Sequence, residues 1–342
     1  MSSSQLKPLR HPQGDLFVID ALDVIIKDDM PSMEYPFYSL SKKPDREVRR
    51  FEYNDKWIEF RPSIKGLPTI YDKDLIIYAI SNIIAAIDEG QEPPKEVEID
   101  PYAFFVFTQR GTGGRDYDAL TDSLDRLDGT RFRTNITFNG NRIDEWQGLI
   151  DKAWLQTSER TGRPEKLRIR LSDMVLNTIK ERDVLTLNRD YFRLKKPIER
   201  RIYELARKHC GQQSQWLVGM EKLHLKSGSR SELKEFRRSV KNLVEHNHLP
   251  DFVVEYTEAK DQVTFYPRDQ YRNGYLPEPK EVLPPLPSWA FEKAKRVAPM
   301  MDVYALEQDW REYWQETGCQ KLDDHAAAYI GFCKKIFHAS NQ

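Results

Sequence analysis

The feature that most constrains this chain is the stretch from Lys222 to His246, KLHLKSGSRSELKEFRRSVKNLVEH, where two short helical patterns meet across a break at Lys226-Ser227-Gly228-Ser229. Ser231, followed by Glu232 in the first turn, suits the N-cap of the second helix. Along that helix Leu233, Phe236, Val240, Leu243 and Val244 recur at three and four residues, so one stripe is apolar and belongs against a core. Lys234, Arg238 and Lys241 follow the same spacing on another face, where a phosphate backbone or a guanine edge could meet them. A cationic helix face is most often plain solvated surface, so the flanking sequence has to decide.

The net charge of −1 conceals an asymmetry. Between Arg160 and Pro250 the chain carries 22 Lys and Arg against 11 Asp and Glu, and the rest is acidic. A basic segment within an acidic protein points to a local polyanion footprint, because binding follows the local field and not the total. With 342 residues, 39% of them hydrophobic, two or three domains can each bury a core. No apolar run approaches the roughly 20 residues of a membrane span, and the first residues lack a signal-peptide core, so a soluble cytoplasmic protein without membrane contact is expected. Cys210, Cys319 and Cys333 lie too far apart for a disulfide framework or a zinc site, and neither metal nor cofactor is expected.

Taken in order, residues 1–45 form a partly disordered N-terminal arm, in which Asp15 to Lys27 fits either a strand or a short helix. Arg49 to Pro62 alternates as a β-hairpin and opens a domain over 46–165. Tyr71 to Glu89, with Asp72 as its cap, is apolar nearly all round and must be a buried helix. Helices at Tyr102 to Gln109 and Arg115 to Leu127 follow, then a strand from Thr130 to Phe138, a turn at Asn139-Gly140, and a returning strand from Ile143. Three helices and a two-stranded ribbon are the order of a winged helix. The order repeats over 166–270, with a helix from Leu171 to Lys180, a short strand at Tyr191 to Leu194, a basic helix at Pro197 to Lys208, the two helices around Gly228, and a hairpin of Phe252 to Tyr256 with Val263 to Tyr266. A proline-dense linker spans 271–288, and 289–342 is a small helical module. The expected class is α+β: two tandem winged-helix domains followed by a small helical C-terminal module.

The stretch MEYPFYSLSKKP at 33–44, the IYDKDLIIYAISNI helix, the GRDYDALTDSLDRLDGTRFRTN run and the second winged helix together resemble the plasmid replication initiator protein A family of proteobacteria. The resemblance covers roughly residues 16–268. It implies tandem winged helices that bind repeated plasmid-origin sequences in duplex DNA without catalysis, opening the origin and controlling copy number. The tail is similar to C-terminal modules of helicase-loading replication proteins, which implies a host replicative helicase or its loader as partner; a homodimer fits the same picture. The alternative is a transcriptional repressor acting on its own promoter.

The expected DNA contacts are Arg230, Ser231, Lys234, Glu235, Arg237, Arg238, Lys241 and Asn242 on and before the reading helix, with Arg193, Lys195, Lys196, Arg200 and Arg201 upstream. In the first domain they are Arg110, Thr112, Arg115 and Tyr117, with Arg131 and Arg133 on the following strand. Asp118, Asp122 and Asp125 share that helix's face, where they would repel DNA; a metal site would need partners that the sequence does not offer. Gly111-Thr112-Gly113-Gly114 lacks the Lys-Ser/Thr of a P-loop, and His246-Asn247-His248 falls at a helix end, so no enzyme is expected. In the tail, Trp310 and Trp314 share a face while Tyr313 is turned away; the three are candidates for contact with a protein partner or single-stranded DNA.

Overall fold

The computed structural model of the protein describes Leu6, Arg10 and residues 24–41, 43–53, 56–135, 146–211, 213–271, 283–299, 301–316, 322 and 324–340. It mixes helices and sheets, and two six-element units dominate it. The first comprises helix α2 (Lys73–Asp88), strand β4 (Val97–Ile99), helices α3 (Pro101–Phe107) and α4 (Gly114–Gly129), and strands β6 (Ile150–Thr157) and β7 (Pro164–Leu171). The second comprises α6 (Pro197–Cys210), β9 (Trp216–Gly219), α7 (Met220–Ser227), α8 (Leu233–His246), β10 (Phe252–Thr257) and β11 (Gln262–Pro267). Each closes an antiparallel three-stranded sheet with its last strand in the middle, in the orders β4-β7-β6 and β10-β11-β9. The two units therefore share one plan.

Local chemistry sets the helix ends. Asp100 accepts a hydrogen bond from the Ala103 amide at 2.7 Å, and Pro101 at the first helical position needs no donor partner. Between α7 and α8 the chain turns on Gly228, whose φ of +67° favours glycine; a Cβ there would also lie 2.4 Å from the Cβ of Pro36. Helix α8 begins after Glu232, not Ser231, and no side chain caps it. The Ser231 hydroxyl turns back to Ser229 at 2.9 Å. Asp72 likewise is not a side-chain cap: it accepts from the Thr69 amide at 2.7 Å, from Arg126 at 2.7 and 2.8 Å, and from Ser123.

Two sequence expectations fail here. The strand after α4, β5 (Arg131–Thr134), does not start a wing; it pairs with β3 (Lys56–Arg61), which pairs with β2 (Arg49–Tyr53). Aromatic burial explains this, since Phe132 packs with Phe37 and Phe60 at ring separations of 5.3 and 6.0 Å. The hairpin that closes the first unit is β6–β7 instead; the expected Asn139-Gly140 turn lies outside the described residues. Tyr191 to Leu194 is not a strand either. Arg189–Arg193 is a 3₁₀ turn, capped by Asn188, that buries Tyr191 and Phe192. The preceding helix, α5, covers Asp173–Lys180, with Leu171 ending β7.

Residues 24–41 and 43–45 run between the units. Strand β1 (Lys27–Asp29) pairs antiparallel with β8 (Val184–Thr186), and the short helix α1 (Met30–Glu34) packs against α6. One hydrophobic core runs continuously from Ile26 to Phe265 through both units. A second core gathers α9 (Ser288–Val297), α10 (Val303–Glu316) and α11 (His325–Ser340). Leu283 and Leu286, within the proline-dense stretch, are buried in that second core, and Arg311 donates to the carbonyls of Leu283 and Pro284 at 2.9 and 3.2 Å. The end of the expected linker is thus part of the module.

Charge is buried where the units meet. The Lys73 ammonium, fully enclosed, lies 2.6 Å from Asp28 and 3.1 Å from Glu204 on α6. Burial alone would lower its pKa, but Asp28 and Glu204 outweigh this and raise it, so the charge persists. Next to it on α2, Asp74 takes the Arg200 guanidinium at 2.6 Å and Arg110 at 2.8 Å. Removing one partner of such a cluster strands the others in a dry site. Lys73→Ala is expected to cost about 3–5 kcal/mol of unfolding free energy, measured by urea denaturation; a loss below about 1 kcal/mol would show that the cluster is not an essential junction.

Candidate nucleic-acid interface

Helix α8 separates its two faces sharply. Phe236, Val240 and Leu243 are buried, and Leu233 and Val244 pack at the edge of the core. Lys234, Glu235, Arg238, Ser239 and Lys241 are exposed. Arg238 is 81% exposed and lies 3.3 Å from Glu235, its one ion pair among the described residues. Lys241 reaches Glu258 at 2.7 Å and lies 5.0 Å from the ring of Tyr256. Lys234 makes no ion pair among the described residues.

The β10–β11 turn is fastened to this helix. Arg237 donates two hydrogen bonds to Asp261, at 3.0 and 2.8 Å, and the Tyr256 hydroxyl donates a third at 2.7 Å. Those bonds, Arg237 first, hold the Asp261 carboxyl down at about 2. Arg237, expected as a DNA contact, is thereby committed to placing the turn beside α8. At the other end of the helix Asn242 accepts from Lys196 at 3.0 Å, which brings the exposed pair Lys195 and Lys196 onto the same side. Arg230 is exposed but turned toward Glu47 at 2.6 Å and Asp45 at 3.4 Å. Arg193, also expected here, is tied to Asp190 at 2.8 Å.

Arg200 and Arg201 cannot be surface contacts. Both are almost wholly buried: Arg200 donates to Asp74 and to the carbonyls of Leu194 and Phe192, and Arg201 to the carbonyls of Ser32, Met33, Glu34 and Lys226. A count of cations along a sequence cannot distinguish a guanidinium that satisfies interior carbonyls from one that faces solvent. His248 is also buried, 3.2 Å from Glu199, while Asn247 closes α8 in the left-handed conformation.

The first unit presents less. Arg115 is exposed at the start of α4, and Thr112 is half-buried before it. Arg110 is held by Asp74 and the Tyr71 carbonyl, and Tyr117 packs edge-on to Phe105 at 4.9 Å. Arg131 donates to the Trp146 carbonyl at 3.1 Å, and Arg133 stands 5.5 Å from the ring of Trp57; both belong to the β2-β3-β5 sheet and not to β4-β7-β6. Asp118 and Asp125 are exposed, and Asp122 is paired with Lys65 at 2.9 Å. In the tail Trp310 and Trp314 are core residues and not available to a partner, whereas Tyr313 is 51% exposed with its ring 5.8 Å from Phe332.

Two groups escaped sequence reasoning. One is the acidic set that neutralises the cations, Asp45, Glu47, Glu258 and Asp261, which only the tertiary fold brings to α8. The other is the cation alternation in PEKLRIRL at 164–171, a period-two signal that was legible as a strand with one basic face. Among the described residues no cluster of three or more His, Cys, Asp or Glu could hold a metal, and no helix is long and apolar enough to cross a membrane.

Residues 27–254, the first unit and the second as far as the start of β10, match the model of the family described as Replication initiator protein A. The chain belongs to that family. It is also 37% identical over 262 residues to a putative replication protein of Wigglesworthia glossinidia brevipalpis, a match covering 74% of this chain and 94% of that one. Among solved structures it is similar to crystal structures of domains 2 and 3 of RctB. One has a TM-score of 0.48 at 15% identity, covering 70% of this chain and 98% of that one; the other has 0.47 at 12%, covering 68% and 95%.

The two faces of α8 predict opposite phenotypes. Phe236→Ala should destabilise the protein by roughly 3–5 kcal/mol, while Arg238→Ala should leave the melting temperature within a degree or two. Thermal denaturation of both variants checks this; equal shifts would reverse the assignment of faces.

Proposed function

We propose that this replication initiator binds repeated origin sequences in duplex plasmid DNA through two winged-helix units, without catalysis of its own. The plan of helix, strand, two helices and a hairpin whose last strand is central suits a winged helix, with α8 in the major groove. One observation carries the assignment: Lys234, Arg238 and Lys241 stand exposed on α8 opposite a fully buried stripe, flanked by Lys195 and Lys196. Arg238 and Lys234 read base edges or phosphates, while Lys195 and Lys196 hold the backbone. The first unit engages an adjacent groove with the N-terminal end of α4, through Arg115 and Thr112, because Asp118 and Asp125 repel phosphate further along. Bound in the cytoplasm at the origin, the protein helps to open the duplex and supports control of plasmid copy number. The tail recruits the host helicase or its loader, presenting Tyr313 and not the buried tryptophans.

Lys234→Ala and Arg238→Ala should each weaken binding to an origin duplex, by about 1–3 kcal/mol where the side chain meets a base edge, with folding unchanged. Anisotropy titration against origin fragments is the measurement, and wild-type affinity in both variants would remove α8 from the interface. Deleting residues 280–342 should leave duplex binding intact and abolish plasmid maintenance. Replication of the truncated protein's plasmid at normal copy number would exclude recruitment by the tail.

A further inference from the structure

The outer face of the β4-β7-β6 sheet is a second charged surface, remote in sequence from α8. Along β7 the residues alternate: Leu167, Ile169 and Leu171 point into the core, while Lys166, Arg168 and Arg170 are exposed. The register places Lys152 opposite Arg170, Trp154 opposite Arg168 and Gln156 opposite Lys166, and all three β6 residues are exposed as well. Trp154 is 40% exposed, unusual for so large an apolar side chain with a core close by. Its ring carries the Arg168 guanidinium, centred 4.4 Å from the ring centroid. Among the described residues the acids paired with these cations are Glu98, 3.3 Å from Lys166 and 3.7 Å from Arg168, and Asp151, 3.8 Å from Arg170. Four cations against two acids leave the face positive.

We propose that this face binds single-stranded DNA, with Trp154 as a stacking platform for an unpaired base and Lys152, Lys166 and Arg170 on the backbone either side. Charge complementarity selects a polyanion. The exposed ring then selects an unpaired strand over a duplex, since a duplex keeps its base faces stacked inside, whereas a flexible strand can lay one on an indole. Rows two residues apart along a strand lie roughly 7 Å from each other, so the cations flank the ring at the scale of neighbouring nucleotides. Arg168 fixes the indole from one side and extends the planar surface, a cation–π pair that a base can continue. Sequence preference is not required of such a surface, because every base has a stackable face. The inference rests on the origin-binding proposal only for its place in initiation, where it would hold one strand of an opened duplex.

The test uses the full-length protein, a fluorescein-labelled 20-nucleotide oligo(dT) and an origin duplex, with anisotropy as readout. Trp154→Ala should weaken oligo(dT) binding by about tenfold, with duplex affinity and melting temperature unchanged, and Trp154→Phe should restore most of it. Lys234→Ala and Arg238→Ala should weaken duplex binding and leave oligo(dT) binding intact. The proposal is overturned if the wild-type protein does not bind oligo(dT), or if Trp154→Ala binds it as wild type does. It is also overturned if Trp154→Ala instead changes the sedimentation coefficient with oligo(dT) affinity unaltered, since the face would then belong to a second copy of the chain. Duplex affinity that survives Lys234→Ala and Arg238→Ala would defeat the α8 assignment while leaving this one standing.

Discussion

The contact on which most of this structure depends is the buried meeting of α2 with α6: Lys73 between Asp28 and Glu204, and Arg200 on Asp74. Apolar surfaces alone would bury these helices against each other in several registers, since hydrophobic contact is non-directional. Ion pairs at 2.6 Å in a dry site are not so tolerant, because a shift of one turn leaves charges unpaired at a cost of several kcal/mol. Arg201 extends the constraint by taking the carbonyls of the segment that runs between the units and of the end of α7. The position of α8, which packs on α7, is therefore referred back to the first unit through a chain of buried hydrogen bonds.

Local periodicity made most of the elements legible. The apolar helix at α2, the break at Gly228 and the stripe on α8 each follow from side-chain spacing, and the structure has them where that spacing puts them. What the sequence hid was long-range. Strand β5 alternates like a wing strand but pairs 70 to 76 residues back in the chain with β3, because Phe132 finds Phe37 and Phe60 there. Arg200 and Arg201 read as two more surface cations in a basic run, and only the burial of α6 on both sides shows their true use. Trp310 and Trp314 were legible as a shared face, but whether that face was inward depended on the partner helix carrying Tyr329.

Several of the cations at the proposed duplex site do not stand alone. Glu47 and Asp45 attend Arg230, Glu235 attends Arg238 and Glu258 attends Lys241. Such pairs, exposed to solvent, are worth little to stability. They matter as competitors of phosphate. Each carboxylate acts as a counterion supplied by the protein, and it must yield before the cation can neutralise DNA. Lys234 and Lys195, exposed and with no such attendant among the described residues, would be the cations most ready to make the first contact in the proposed complex.

The single hydrophobic core shared by the two units has a consequence for the DNA they are proposed to bind and not only for the protein. Two modules on a flexible tether can each find the groove independently, and the spacing of their targets is then loosely set. Modules welded through one core behave as a gauge of fixed length and phase. Any mismatch between that gauge and straight B-form DNA must be taken up by the duplex, as bend or as altered twist, and easily deformed base steps between the contacted grooves would lower the energy of the complex without being touched. An origin recognised this way would be selected partly for how readily it yields, a property that an origin destined to melt already needs.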